Sequence, residues 1–422
     1  MHGNKRALAL ALALAAATAT LTATTASAAP RAPHTPHTPH TEKASVAPDG
    51  ADGNSVSNHQ SLSADGRHLA FVSRADNLVA GDTNGTEDAF VRDLKTGTTL
   101  LVSVTADGGA WDGHVLDVSL SANGRYLAFS STKTYDGDDN SVWVKDLRTG
   151  ALQRLNNAVD TGYNAIGSPA ISADGRYVAF VAQHTSDEGP AGDRWSRVYR
   201  VDRVTGERVR ISQVPAEGAR KSAAINPSIS ADGSRVAYQF FVPYPSSGDW
   251  SDAYVRDVPS GKLFWADQAP DGRVSDAQTE FPQISADGRY AVFNSLDSQL
   301  TPDDTNNSHN VFIRDLRTGK LRRIDGAGPT AYTAYPQLSA DSRYLVYVAG
   351  SPGAEGQAYV RDLRTGRTVL ASPAVAGGPS TDGADFPVID RHGRTVAFSS
   401  WATDLVPGDT YDTTHVYVRH LK

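Results

Sequence analysis

One two-part phrase, written seven times, constrains this chain more than anything else in it: S-A-D-G-R ahead of an apolar run, then V-R-D-L-x-T-G. The first part is anchored at Asp65, Asn123, Asp174, Asp232, Asp287, Asp341 and His392, with successive gaps of 58, 51, 58, 55, 54 and 51 residues. The second part falls at Asp93, Asp146, Asp202, Asp257, Asp315 and Asp362, and returns in altered form at His420. Self-similarity at this period, in a unit made of short strands, marks a radial repeat. Such a repeat defines a scaffold and leaves function to its loops.

The first unit shows the local logic. Ser61-Leu62-Ser63 leads through Ala64-Asp65-Gly66-Arg67 into His68-Leu69-Ala70-Phe71-Val72-Ser73. Asp-Gly between apolar runs is a strong hairpin signal, because glycine accepts the positive φ of the turn. Ala89 to Leu94 reads as a third strand, and Lys95-Thr96-Gly97 turns it into a fourth over Thr98 to Val104. Middle strands such as Val178-Ala179-Phe180-Val181 are apolar at every position, as strands packed on both faces are. The expectation is an all-β, seven-bladed β-propeller of four-stranded antiparallel blades over residues 42–422. The seventh unit stops after its third strand at Val416 to Lys422, whereas Lys43 to Gly50 aligns with Leu101 to Gly108, a fourth strand and its exit. The N-terminal strand is therefore expected to complete the last blade, leaving no open sheet edge.

Residues 1–28 read as a secretory signal: Lys5 and Arg6, an apolar stretch from Ala7 to Ala17, and Ala26-Ser27-Ala28. Residues 29–41, with Pro-His-Thr repeated around His34, His37 and His40, read as a disordered spacer with some capacity to catch metal through imidazole. The expected location is secreted or in the cell envelope. Removing residues 1–28 leaves 38 basic against 47 acidic side chains, a net of −9, which argues against nucleic acid and anionic membrane as main partners. There is no cysteine, so burial and not disulfides must hold the fold.

S-A-D-G-R-x-x-x-F followed by V-x-x-R-D-L-x-T-G resembles the TolB-like, WD-repeat-like propeller repeat, across essentially all of residues 42–422. The resemblance implies a fold; its members span protein-binding propellers, gating propellers of serine peptidases and a few metal-dependent lyases. No G-x-S-x-G elbow is present, and the last repeat reaches Lys422, leaving no room for a hydrolase domain. The expectation is thus a non-enzymatic, monomeric scaffold that recognises a protein or peptide partner with its variable loop face. The alternative is a carbohydrate- or small-ligand-binding propeller, or a metal-dependent lyase-like enzyme, working at the channel mouth.

Candidate site residues follow from position. Six residues before each anchor stand His59, Asp117, Ser168, Asn226, Phe281, Tyr335 and Phe386, at the start of each innermost strand and hence around the channel mouth. Polar groups in the first four blades facing an aromatic arc in the last three are the composition of a ligand pocket. Loops before Asp93 and Asp315 place Asp82, Asn84 and Asp88, and Asp304 and Asn306, at alternate positions, an oxygen-rich pattern suited to Ca²⁺. An Asx-turn bonding its own backbone would give the same pattern. A catalytic metal would need several imidazoles to converge, and of His59, His114, His309 and His415 only His59 belongs to the inner ring.

Overall fold

The apolar runs of the repeat become the second and third strands of seven four-stranded sheets. The computed structural model describes residues 38–422, apart from 106–107, 110, 133–139, 156–162, 185–194, 213–222, 243–249, 274, 276, 307, 327–330, 352 and 411–412. The expected signal therefore lies outside the described residues. Twenty-eight strands, numbered β1 to β28 in chain order, form seven antiparallel blades and no helix among those residues. In the first blade, β2 (Ser57–Leu62), β3 (His68–Ser73), β4 (Asp88–Asp93) and β5 (Thr98–Leu101) follow in order.

Alternation along the middle strands serves two blade interfaces at once. Leu69, Phe71 and Phe90 pack against Ala397, Val416 and Val418 of the last blade. Ala70, Val72 and Val91 pack the other way, against Val115, Leu127 and Phe129 of the second. Successive strand residues point to opposite faces, so a continuous apolar run is what double burial requires. Each fully buried Phe is worth about 1.5–3 kcal/mol. Seven such interfaces supply the core that disulfides would otherwise reinforce.

The two halves of the repeated phrase meet as a clamp. The Arg that follows the Asp-Gly turn reaches the Asp that opens the Thr-Gly turn: Arg67–Asp93 2.6 Å, Arg125–Asp146 2.6 Å, Arg176–Asp202 2.7 Å, Arg235–Asp257 3.0 Å, Arg289–Asp315 2.6 Å and Arg343–Asp362 2.7 Å. The same Asp accepts backbone N–H groups of its turn, as Asp93 does from Lys95 at 2.9 Å. The Arg hydrogen bond holds Asp93, Asp146, Asp202, Asp315 and Asp362 below the usual carboxylate range, and Asp257 is held there first by the Ser260 hydroxyl. The turns also join neighbouring blades: Ala64 N donates to Ala122 O at 2.9 Å, Ala173 N to Ala231 O at 3.0 Å and Arg391 N to Ala64 O at 2.9 Å.

The ring closes as its sequence suggests. β1 (His40–Lys43) pairs antiparallel with β28 (His415–His420), giving the last blade the order β1-β28-β27-β26, where β26 is Asp385–Ile389 and β27 Thr395–Ser400. The strand starts at His40, so the last two residues of the stretch read as spacer are paired in the sheet. No helix among the described residues is long and apolar enough to cross a membrane.

Candidate functional site

Every first strand carries an irregularity, and it lies where the sequence placed the ring. In β2, Asn58 pairs with Val72 and Ser61 with Ala70, so His59 and Gln60 bulge opposite Phe71 alone. The same two-for-one bulge sets Ser168, Asn226, Phe281, Tyr335 and Phe386 out of the ladder in β10 (Tyr163–Ile171), β14 (Ala223–Ile229), β18 (Thr279–Ile284), β22 (Tyr332–Leu338) and β26. All six residues have φ between 47° and 51°, a left-handed conformation that costs a non-glycine residue about 1–2 kcal/mol. In β6 (His114–Leu120) the shift falls one residue earlier, and Asp117 stays paired, with Ser130. The ring positions thus sit within their strands and not at the strand starts. Five of the six bulged residues precede a proline, from Pro169 to Pro387, at a point where the ladder needs no donor.

The bulges bring the predicted aromatics together. Phe281 and Tyr335 meet edge-on with centroids 4.9 Å apart, Tyr335 and Phe386 lie 4.5 Å apart, and Phe281 and Phe386 6.1 Å apart. His59 stacks on Phe386 at 6.4 Å and points Nδ1 at Asp117 Oδ1, 3.4 Å away. Burial in the narrow mouth works against a proton on His59, but the Asp117 carboxylate outweighs it and raises the imidazole above its ordinary value. Asn226 donates to Gln239 Oε1 at 2.9 Å. Ser168 holds the corresponding bulge of its blade, half-buried.

Beside this arc a pocket of about 290 Å³ opens across the last three blades. Its aromatic wall is Phe281, Tyr332, Tyr335 and Trp401, and its polar lining includes Glu280, Asn294, His309, Glu355, Asp382 and Asp385. Among the described residues that line it, four are carboxylates and none is Lys or Arg. Asn294 forms a buried floor, donating to Glu280 Oε2 at 3.3 Å, with its own Oδ1 left unpartnered. Burial raises Asp385, and Glu355 and Asp382 push the same way. Tyr335 is raised by burial and by Asp385 and Glu280; burial lowers His309. Two glycines shape the back wall: a Cβ at Gly356 would stand 2.5 Å from Tyr332 Oη, and one at Gly383 2.8 Å from Gly356 O.

The sequence reading found the aromatic arc and missed the acidic lining. A signal was present for half of it. Glu280 and Asp385 immediately precede the ring residues Phe281 and Phe386. Glu355 and Asp382 come from variable loops, where repeat alignment says nothing about direction.

The Asp-rich loops make several contacts of their own. Asn84 Oδ1 accepts from Thr86 N at 3.1 Å, and Asn306 Oδ1 from Ser308 N at 3.1 Å, the Asx-turn pattern. Asp304 meets Arg323 Nη1 at 2.9 Å, so a guanidinium already balances that loop. Asp82 is buried, and Asp88 accepts a 2.5 Å bond from Ser103. Tyr411 and Asp412 of the third such loop lie outside the described residues. Among the described residues, the one trio of His, Asp or Glu ligand atoms lying within 4.8 Å of one another is His40, Glu42 and His420, far in sequence from the ring.

Fold and site together define a seven-bladed propeller with an acidic, aromatic pocket at the mouth of its channel. No protein-family model matches the chain, and no curated protein matches it. Solved structures do match. An oligogalacturonate lyase in complex with manganese is 14% identical, with 91% of this chain and 96% of that chain covered and a TM-score of 0.59. Puromycin hydrolase is 15% identical, covering 82% of this chain and 50% of that one, with a TM-score of 0.51. TolB from Acinetobacter baumannii is 16% identical, covering 88% and 80%, with a TM-score of 0.41. Likeness at such identity speaks to the fold. It also corrects the expectation of a non-enzyme. A lyase is matched over 96% of its own length, so a chain of this fold with no further domain can be catalytic.

Proposed function

We propose that the channel-mouth pocket binds a small polyhydroxylated ligand, a neutral or amino-bearing saccharide. The observation that carries this reading is one pocket in which four carboxylates face four aromatic rings. Aromatic faces stack on the apolar face of a sugar ring, while carboxylates accept its hydroxyl protons and attract an amino group. The same carboxylates repel a uronate, so the substrate in the name of the matched lyase fits this pocket poorly. Phe281 and Tyr335 pack on one another at the edge of a concave pocket of about 290 Å³, a shape that favours a small ligand over a flat protein surface. Burial raises Asp385 above the ordinary carboxyl value, and Glu355 and Asp382 beside it push the same way.

The test is calorimetric titration with neutral, amino-bearing and uronic oligosaccharides, with product analysis on whichever binds. Binding of the first two, weakened at least about tenfold in Phe281→Ala/Tyr335→Ala, supports the reading. Preference for the uronic series, or binding that ignores the aromatic changes, overturns it.

A further inference from the structure

We propose that the ring-closure seam holds a divalent transition-metal site, of the kind that takes Zn²⁺, built from His40, Glu42 and His420. It is independent of the pocket and lies at the other end of the blade, with the tight turns. At the seam the last blade departs from the repeat. In six blades the residue that opens the Thr-Gly turn is an Asp clamped by Arg; in the seventh it is His420. The position has changed from a hard oxygen ligand to an imidazole at the blade whose fourth strand comes from the far end of the chain.

Strand register does the rest. His40 lies directly opposite His420, and Glu42 opposite Val418. Residues two apart on a strand share a face, so Glu42 stands diagonally beside His420. The side chains follow: the two imidazoles stack with centroids 4.6 Å apart at 24°, and His420 Nε2 lies 3.2 Å from Glu42 Oε1. One ligand atom from each residue falls within 4.8 Å of the other two. Tetrahedral coordination at metal–ligand distances of about 2.0–2.2 Å needs separations of about 3.3 Å, within reach of small side-chain rotations. His40 Nδ1 donates to the Thr38 carbonyl at 3.1 Å, which fixes its tautomer and leaves Nε2 to coordinate.

The donor set selects the ion. Two imidazole nitrogens and one carboxylate oxygen suit Zn²⁺ and its borderline neighbours, whereas Ca²⁺ wants six to eight oxygens. His40 is exposed and its partners half-buried, so an ion enters without unfolding and keeps water at its fourth position. Bound there, it bridges β1 to β28, residues 378 apart in the chain, and stabilises the closed ring in proportion to its free concentration.

The experiment is Zn²⁺ titration of the full chain by calorimetry, with thermal melts in Zn²⁺, in Ca²⁺ and in chelator. The expected result is one Zn²⁺ per chain, a Tm that rises with free Zn²⁺ and not with Ca²⁺, and reversal by chelator. His40→Ala, whose exposed side chain leaves the seam's pairing intact, and His420→Ala each weaken binding more than about tenfold. His34→Ala/His37→Ala, which removes the upstream imidazoles of the Pro-His-Thr run, leaves it unchanged. A melt in chelator that matches the unmodified chain shows that each variant folds. The proposal is overturned if Zn²⁺ has no effect, if His40→Ala binds it as the unmodified chain does, or if the upstream double variant alone abolishes binding.

Discussion

Ser342 is the residue at which the repeat departs from its own turn chemistry. The other six anchors are followed by glycine, and Ser342 takes that place with φ 57°. A left-handed serine is strained by about 1 kcal/mol, and its backbone bond, Ser342 N to Ser339 O at 2.8 Å, is one that glycine makes equally well. Gly175 holds the equivalent turn of the third blade for a second reason: a Cβ there would run into the ring of Tyr126, which belongs to the blade before. Ser342→Gly is therefore expected to stabilise the chain by about 0.5–1 kcal/mol, and Gly175→Ala to destabilise it by about 2 kcal/mol or more. Denaturant melts at constant m-value decide both. The turn glycine was legible because one hairpin demands it; its neighbour's ring was not, since two sequence-distant blades must dock before the contact exists. The same holds for the channel mouth. An offset of six residues located His59 and Phe386, but their positive φ comes from pairing with β3 and β27. The prolines after the bulges were the readable trace of it.

At the scale of the strand, in three blades a polar group near the start of the third strand meets the exit of the fourth. Asp88 takes Ser103 in the first blade, Gln357 takes Ser372 at 2.7 Å in the sixth, and Ser45 meets His415 at 3.2 Å in the last. The fourth blade places Asp252 there and Asp267 in the position of the serine, two carboxylates buried together, with three of their oxygens lacking a hydrogen-bond partner. Burial raises both, and the Asp267 charge raises Asp252 further. Burial likewise pushes Asp88 up to about 6, against the bond from Ser103. Since these carboxyls hold protons in the folded state that the unfolded chain has already released, the folded state binds more protons above the ordinary carboxylate range. Stability must then fall as pH rises from that range through the raised values. Thermal melts between about pH 5 and 9 should show a declining Tm. Asp267→Ser, which restores the pattern of the first blade, should flatten the decline and raise stability at its alkaline end. A slope unchanged in that variant would remove the pair as its cause. Repeat alignment shows that Asp267 replaces a serine, but only the sheet shows that both acids face inward.

For the whole molecule the decisive feature is that the ring is shut by noncovalent contacts in a chain without cysteine. The strand β1 was legible because Lys43 to Gly50 repeats the fourth strand of the first blade; what anchors it was not. Lys43 is buried, with Nζ 2.6 Å from Asp409 and 2.8 Å from Asp52. The Asp409 side chain is fully buried and also accepts the Tyr417 hydroxyl at 2.8 Å. The long loop that supplies Asp409 gave no hint in one dimension that its carboxylate would meet a lysine more than 360 residues earlier. Removing one partner of a buried ion pair leaves the other charge uncompensated, at about 3–5 kcal/mol. Lys43→Met is thus expected to destabilise the fold by about that amount and to free β1 first, exposing the edge of β28. Adding Asp409→Asn to it should recover much of the loss, because the stranded charge is then gone while the backbone pairing remains. Hydrogen exchange of residues 40–43 and 415–420 reads the local opening, and denaturant melts read the energy. If Lys43→Met costs no more than an exposed lysine would, less than about 0.5 kcal/mol, the seam is held by strand pairing alone. The charged anchor would then have no part in closing the ring.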